Sequence, residues 1–132
     1  MKKPVLLLIG LLIFILDRIT KIILAGKDFF IFNYAENTGA IFGVLKESNS
    51  LLIALTLIAI IILFYFIFSL KSFSQKLALT LIASGLTANL FDRVFYGFVI
   101  DFIDLKFWPV FNLADASVFI GVIFLIFSLY KK

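Results

Sequence analysis

The chain has neither cysteine nor histidine among its 132 residues. Cysteine nucleophiles, Ser-His-Asp triads, disulfides and the usual zinc ligand sets are therefore excluded. Any hydrolytic chemistry must rest on carboxylates, or on a hydroxyl paired with lysine. Charge is also scarce: Asp, Glu, Lys and Arg make up 15% of the residues, while 64% are hydrophobic and 17% aromatic. With a mean hydropathy of +1.20, the chain is far more apolar than the ~45–50% expected of a soluble domain. These values describe an integral membrane protein. At about 20 residues per span, its length allows four or five crossings at most, arranged as one domain over residues 1–132. The net charge is +4, but the basic residues form no patch and no binding motif, so no nucleic-acid partner is expected.

Taken in order, residues 4–24 form a first helix. Met1-Lys-Lys-Pro and the apolar run after it resemble the start of a secretory signal. No small-x-small cleavage site follows that run, and Asp17-Arg-Ile-Thr-Lys21 leads into further apolar residues, so the helix is expected to be retained. Leu24-Ala25-Gly26 is similar to a lipobox, with Lys27 where the lipidated cysteine would stand. Residues 28–34 mix aromatic and β-branched residues and read as a strand. Glu36-Asn-Thr-Gly39 reads as a turn into a second strand, residues 40–45. Such a two-stranded hairpin is marginal alone and must rest on the bundle or the lipid interface.

Residues 51–70 are the clearest span, with Ser48, Asn49 and Ser50 as candidate caps. A short polar connection, residues 71–76, returns the chain into a third helix at 77–95. That helix is rich in small and hydroxylated residues, which permit close approach in lipid, and the Ser84-x-x-x-Ala88 spacing marks a packed face. After Pro109 comes a fourth helix at 112–130. The expected fold is an all-α membrane protein with four transmembrane helices, a small extracytoplasmic β-hairpin or sheet and an outer loop between helices three and four. Lys2, Lys3, Lys71, Lys76, Lys131 and Lys132 share one face with no acid. Discounting charges embedded in helix ends, the positive-inside rule puts that face and both termini in the cytoplasm.

Residues 89–117 hold four of the eight acids, Asp92, Asp101, Asp104 and Asp115, at the opposite, outer end. An ionisable group near hydrocarbon is costly enough to suggest function by default. Two carboxylates sharing one proton can hydrolyse an amide: the ionised one takes a proton from water while the protonated one donates to the carbonyl oxygen. Asp92 lies beside Arg93, Asp17 lies beside Arg18 and four residues before Lys21, and Asp104 lies next to Lys106, so each has an ordinary structural reading. Asp115, with Asn112 one turn before it in the first turn of a span, has none. Asp101 is a less strongly marked candidate for its partner. Asn89, Asp92 and Arg93 share one side of the third helix.

Five segments, Asp17-Arg-Ile-Thr-Lys21, Glu36-Asn-Thr-Gly-Ala-Ile-Phe-Gly43, Asn89-Leu-Phe-Asp-Arg93, Val99-Ile-Asp-Phe-Ile-Asp104 and Phe111-Asn-Leu-Ala-Asp115, resemble in order the blocks of the bacterial lipoprotein signal peptidase (signal peptidase II) family. The resemblance implies a four-helix aspartic endopeptidase of the inner membrane that removes the signal peptide of diacylglyceryl-modified prolipoproteins, cutting before the lipidated cysteine. It implies Asp101 and Asp115 as the catalytic dyad and supporting roles for Asn37, Asn89, Arg93 and Asn112. Asp17 and Asp92 would be structural acids. It implies no metal or other cofactor, sensitivity to globomycin-type inhibitors, and a monomer working in the lipid bilayer. Ser84 and Ala88 stand where the family usually has glycine.

The outer aromatic residues Phe95, Tyr96, Phe98, Phe102, Phe107 and Trp108 would supply a wall against the substrate, and Gly97 would let the segment bend over it. Two other readings remain open on residues alone. A proton-coupled carrier would place acids near helix centres, whereas these gather at one end. A serine-lysine peptidase would use Lys21 as base and Ser117 as nucleophile.

Overall fold

The computed structural model describes residues 3–39, 45 and 48–130. The elements follow as α1 (Lys3–Leu24), β1 (Asp28–Phe29), β2 (Phe32–Asn37), α2 (Asn49–Ser69), α3 (Phe73–Phe95), β3 (Val99–Ile103) and α4 (Leu113–Tyr130). Helix α2 is apolar on all sides and buries only Leu52 and Ile60. A helix of that kind requires an apolar solvent around it. By length and composition α2, α3 and α4 can each cross a membrane. Helix α1 is as long, but carries Asp17, Arg18 and Lys21 in its last turns. Those charges turn inward, with Asp17 and Lys21 fully buried, while Leu7, Leu8 and Ile22 stay exposed on its outer side.

Helix α3 is the centre of the bundle and touches each of the other three helices. Its small residues account for this position. A Cβ added at Gly85 would lie 2.3 Å from the Ala114 carbonyl oxygen, and one added at Gly121 of α4 would lie 2.9 Å from that of Ala78. The α3 and α4 backbones therefore meet without side chains between them. Of the expected Ser84–Ala88 face, Ala88 is fully buried, while Ser84 sits against Gly10 of α1. The ends of the helices are aligned by polar contacts. The last turns of α1 and α3 meet the first turn of α4, and Asn49 at the start of α2 donates to the Arg93 carbonyl at the end of α3.

The β-structure differs from the expected hairpin. Glu36 and Asn37 continue β2 instead of forming a turn, and the reversal lies earlier, at Phe30 and Ile31 between β1 and β2. Strand β2 then pairs antiparallel with β3, matching Ala35 to Asp101, Glu36 to Ile100 and Asn37 to Val99. The sheet is three-stranded, in the order β1-β2-β3. Local alternation identifies a strand but carries no information on a partner some 60 residues away, so the sequence shows β3 only as part of an outer loop. Most of the second strand expected at 40–45 lies outside the described residues. The α2 caps also differ: Ser48 makes no side-chain cap bond, and Asn49 is committed to α3. Gly97, with φ +83°, follows the last turn of α3 and has the left-handed conformation that commonly ends a helix. It delivers the chain directly into β3.

Candidate active site

Asp101 and Asp115 are joined through one asparagine. Asn112 Nδ2 donates to Asp101 Oδ1 at 2.7 Å. On the other side the Asn112 amide N–H donates to Asp115 Oδ2 at 3.2 Å, while the Asp115 N–H donates to Asn112 Oδ1 at 2.8 Å. The reciprocal Asn112–Asp115 pair is a capping box that opens α4. A helix start of this kind fixes the carboxylate near the positive end of the helix dipole. The outer oxygens are also held: Asn37 Nδ2 donates to Asp101 Oδ2 at 3.0 Å, and Asn89 Nδ2 to Asp115 Oδ1 at 2.7 Å. Asn112 Nδ2 is shared with Asn89 Oδ1 at 3.1 Å. Three asparagines from β2, α3 and the α4 cap thus orient two carboxylates, one from β3 and one from α4.

Asp101 is 2% exposed. Burial, and next the charge of Asp115, push its carboxyl pKa up to about 7; the Asn37 and Asn112 hydrogen bonds and the Lys21 charge act the other way. Such a group exchanges its proton near neutrality, as general acid–base work requires. Asp104 behaves oppositely. Lys106, and after it Asn33, pull its pKa down to about 2, and its ion pair with Lys106 (2.7 Å) is at the exposed surface.

Behind the two aspartates lies a buried cluster of four charges. Lys21 Nζ contacts Asp17 Oδ2 at 2.8 Å and Asp92 Oδ2 at 2.7 Å, and Arg18 pairs with the same two acids. Asp17 and Asp92 accordingly occupy ion pairs, as their neighbours in sequence suggest, although the cation beside Asp92 is Arg18 or Lys21 of α1 and not the adjacent Arg93. Arg93 donates to the Gly39 carbonyl at 2.9 Å, so its hydrogen bond tethers the segment after β2, while its charge acts on the two aspartates without a hydrogen bond to either. Beyond the serine-lysine alternative, sequence reasoning gives Lys21 a local ion-pair role; its i,i+4 spacing from Asp17 is the one visible sign of the cluster. It also missed the Asn-x-x-Asp pattern at 112–115 as a capping box, a signal that was readable.

A family model described as "Signal peptidase (SPase) II" matches residues 9–131. A lipoprotein signal peptidase of Clostridium tetani is 40% identical over 89% of this chain and 87% of that protein. The Halothermothrix orenii lipoprotein signal peptidase is 35% identical, covering 95% of this chain and 94% of its own. The chain belongs to the signal peptidase II family. Two solved structures described as bacterial membrane enzymes share the fold of this signal peptidase II member. One has a TM-score of 0.89 at 32% identity, covering 98% of this chain and 89% of its own; the other has 0.85 at 30%, covering 98% and 95%. Membership makes the chain a membrane protease, which removes the carrier reading.

The serine-lysine alternative fails on geometry. Lys21 is 1% exposed and donates to Asp17, Asp92 and Asn89, so all three ammonium protons have acceptors. Ser117 Oγ donates to the Leu81 carbonyl. The aromatic wall is also smaller than expected. Phe95, Tyr96, Phe107 and Trp108 are exposed and Phe98 is half-buried, but Phe102 is fully buried. Its neighbour Asp101 is buried as well, so both faces of β3 are covered at that point.

Proposed function

We propose that this chain is an aspartic endopeptidase that removes the signal peptide from diacylglyceryl-modified prolipoproteins, cutting before the lipidated cysteine, with Asp101 and Asp115 as the catalytic dyad. The observation that carries the reading is the single Asn112 side chain and backbone holding both carboxylates, at the end of a bundle that is otherwise apolar. One aspartate, ionised, takes a proton from the attacking water, and the other, protonated, donates to the scissile carbonyl oxygen. Like charges held this close favour retention of one proton between them. The pair titrates as a unit, so the two roles belong to the dyad and not to a fixed residue.

Asn37, Asn89 and Asn112 orient the dyad through the N–H groups they donate to its carboxylates. Arg93 keeps the segment after β2 beside Asn37. All four helices span the bilayer of a bacterial inner membrane, with both termini cytoplasmic and the dyad near the outer face. The positive-inside distribution and the inward-facing charges of α1 support this arrangement. The exposed Phe95, Tyr96, Phe107 and Trp108 suit a site that the signal helix and acyl chains approach from lipid. The protein acts as a monomer, without metal, and binds globomycin-type inhibitors. The test is mass analysis of the products from a diacylglyceryl-modified prolipoprotein and its unmodified precursor. Cleavage of the modified form alone, immediately before the lipidated cysteine, is expected; equal cleavage of both would refute the substrate assignment.

A further inference from the structure

Each reacting aspartate is preceded by a residue whose backbone N–H is captured by a buried acid. Asp17 Oδ1 accepts from the Ala114 N–H at 3.0 Å, and Ala114 precedes Asp115. Asp92 Oδ2 accepts from the Ile100 N–H at 3.1 Å, and Ile100 precedes Asp101. Both acids are held by Lys21, at 2.8 Å and 2.7 Å. The third Lys21 donor goes to Asn89 Oδ1 at 3.1 Å, and Asn89 donates to Asp115 itself at 2.7 Å. One ammonium group thus has three arms, each ending on a reacting aspartate or on the residue before it.

We propose that Lys21 is a positioning residue for the dyad, holding Asp17, Asp92 and Asn89 so that β3 and the start of α4 present Asp101 and Asp115 at a fixed separation. This rests on the reading of those two aspartates as the reacting pair. A bundle staple would need only the contacts between α1 and α3. Here both acids also reach across to the backbone of β3 and α4, at the two positions that set the dyad. Arg18 pairs with the same acids, so the cluster holds two basic and two acidic side chains. Lysine suits the hub because three donors on a single atom meet three converging acceptors, whereas a guanidinium is a planar fork.

Lys21 also acts on the dyad electrostatically, since its charge opposes retention of the Asp101 proton. The charged groups of the surrounding elements are Asp17, Arg18 and Lys21 on α1, Asp92 and Arg93 on α3, Glu36 on β2, Asp101 and Asp104 on β3 and its exit, and Asp115 on α4. Glu36 is engaged by Tyr34 and Asp104 by Asn33 and Lys106. Arg93 donates to the Gly39 carbonyl, and its charge acts on Asp101 and Asp115 alongside that of Lys21. Loss of the Lys21 charge should therefore move the activity profile to higher pH, an effect that a purely structural staple would not produce.

The experiment compares the full-length protein with Lys21→Met and Lys21→Arg, measuring kcat, KM and the pH dependence of kcat/KM on a diacylglyceryl-modified prolipoprotein. Lys21→Met is expected to lower kcat by about 100-fold with KM changed far less, and to move the profile upward by at least about 0.5 pH unit. Lys21→Arg, keeping the charge but not the three-point geometry, is expected to lose kcat without the pH displacement. Should Lys21→Met fail to fold, the double variant Lys21→Met/Asp17→Asn restores charge balance and keeps an acceptor for Ala114. It is expected to show a pH displacement in the same direction but smaller, because a negative charge is removed together with the positive one. Parental kcat in a folded Lys21→Met protein, or reduced activity with an unmoved profile in Lys21→Met or in the double variant, would overturn the proposal. Cleavage by Asp101→Asn or Asp115→Asn in the same assay would instead overturn the assignment of the dyad.

Discussion

Replacing Asp101 by Asn should abolish cleavage and yet make the protein more stable above neutral pH. The carboxyl is held at about 7 in the folded protein against an ordinary value of 3.8. Protons are therefore bound more tightly by the folded than by the unfolded chain, and folding stability falls as pH rises from about 4 to 7. At ~1.36 kcal/mol per pKa unit the full difference is roughly 4 kcal/mol, present as a penalty above pH 7 and absent below pH 4. Asparagine carries no such penalty. It does replace one acceptor oxygen by a donor, facing the amide of either Asn37 or Asn112, at about 1–3 kcal/mol. The net gain at pH 8 is then about 1–3 kcal/mol.

The pH dependence is the decisive part, because the mispaired hydrogen bond is a constant offset. Unfolding midpoints of the parent and Asp101→Asn, followed in detergent micelles from pH 4.5 to 8.5, should diverge as pH rises and level off above pH 7. For a chain of this size each kcal/mol corresponds to roughly 3–5 °C. Parallel curves would show that Asp101 is not titrating in this range and would refute the reasoning. In Asp115→Asn the divergence should shrink, since the Asp115 charge is one of the two causes that raise the Asp101 value.

Three further outcomes follow from the same geometry. Asn112→Ala removes the α4 cap and the link between the carboxylates; it should destabilise by about 1 kcal/mol and lower kcat by ~100-fold or more, as read by denaturation and cleavage kinetics. Asn37→Ala removes a hydrogen bond that lowers the Asp101 value, so the alkaline limb of the kcat profile should move above its parental position near pH 7. Gly85→Ala would put a Cβ 2.3 Å from the Ala114 carbonyl oxygen; it should force α3 and α4 apart at about 1–3 kcal/mol and reduce cleavage, whereas Gly26→Ala, with open space around it, should lower stability through its backbone conformation alone and leave kcat intact.

The parts of this architecture that could be read in advance are those governed by the solvent. Helix α2 announces itself because every face must tolerate lipid, and its observed bounds differ from the apolar run by a residue or two. Asp115 stood out because no neighbour in sequence explained a carboxylate at the start of a span. What could not be read was pairing at long range. The single strand expected at 28–34 is split by a reversal into β1 and the start of β2; the partner of β2, β3, lies some 60 residues on, and β-pairing leaves no local mark. The same limit hid the wider role of Lys21. Its contact with Asp17 is one helical turn away, whereas those with Asn89 and Asp92 cross to another helix. Three-dimensional convergence turns an ordinary i,i+4 pair into the support of the site. Phe102 shows the converse: its neighbours suggested a lipid-facing aromatic, yet it is buried beside the equally buried Asp101, because both faces of β3 are covered at that point.

The central claim is that Asp101 and Asp115 act together on water without a metal. The most direct test is a gel-shift cleavage assay on a diacylglyceryl-modified prolipoprotein, with chelator present throughout, comparing the parent with Asp101→Asn and Asp115→Asn. The account predicts cleavage by the parent and none by either variant, with both variants folded and membrane-inserted. Full activity in either variant, or a parent silenced by the chelator, would contradict it.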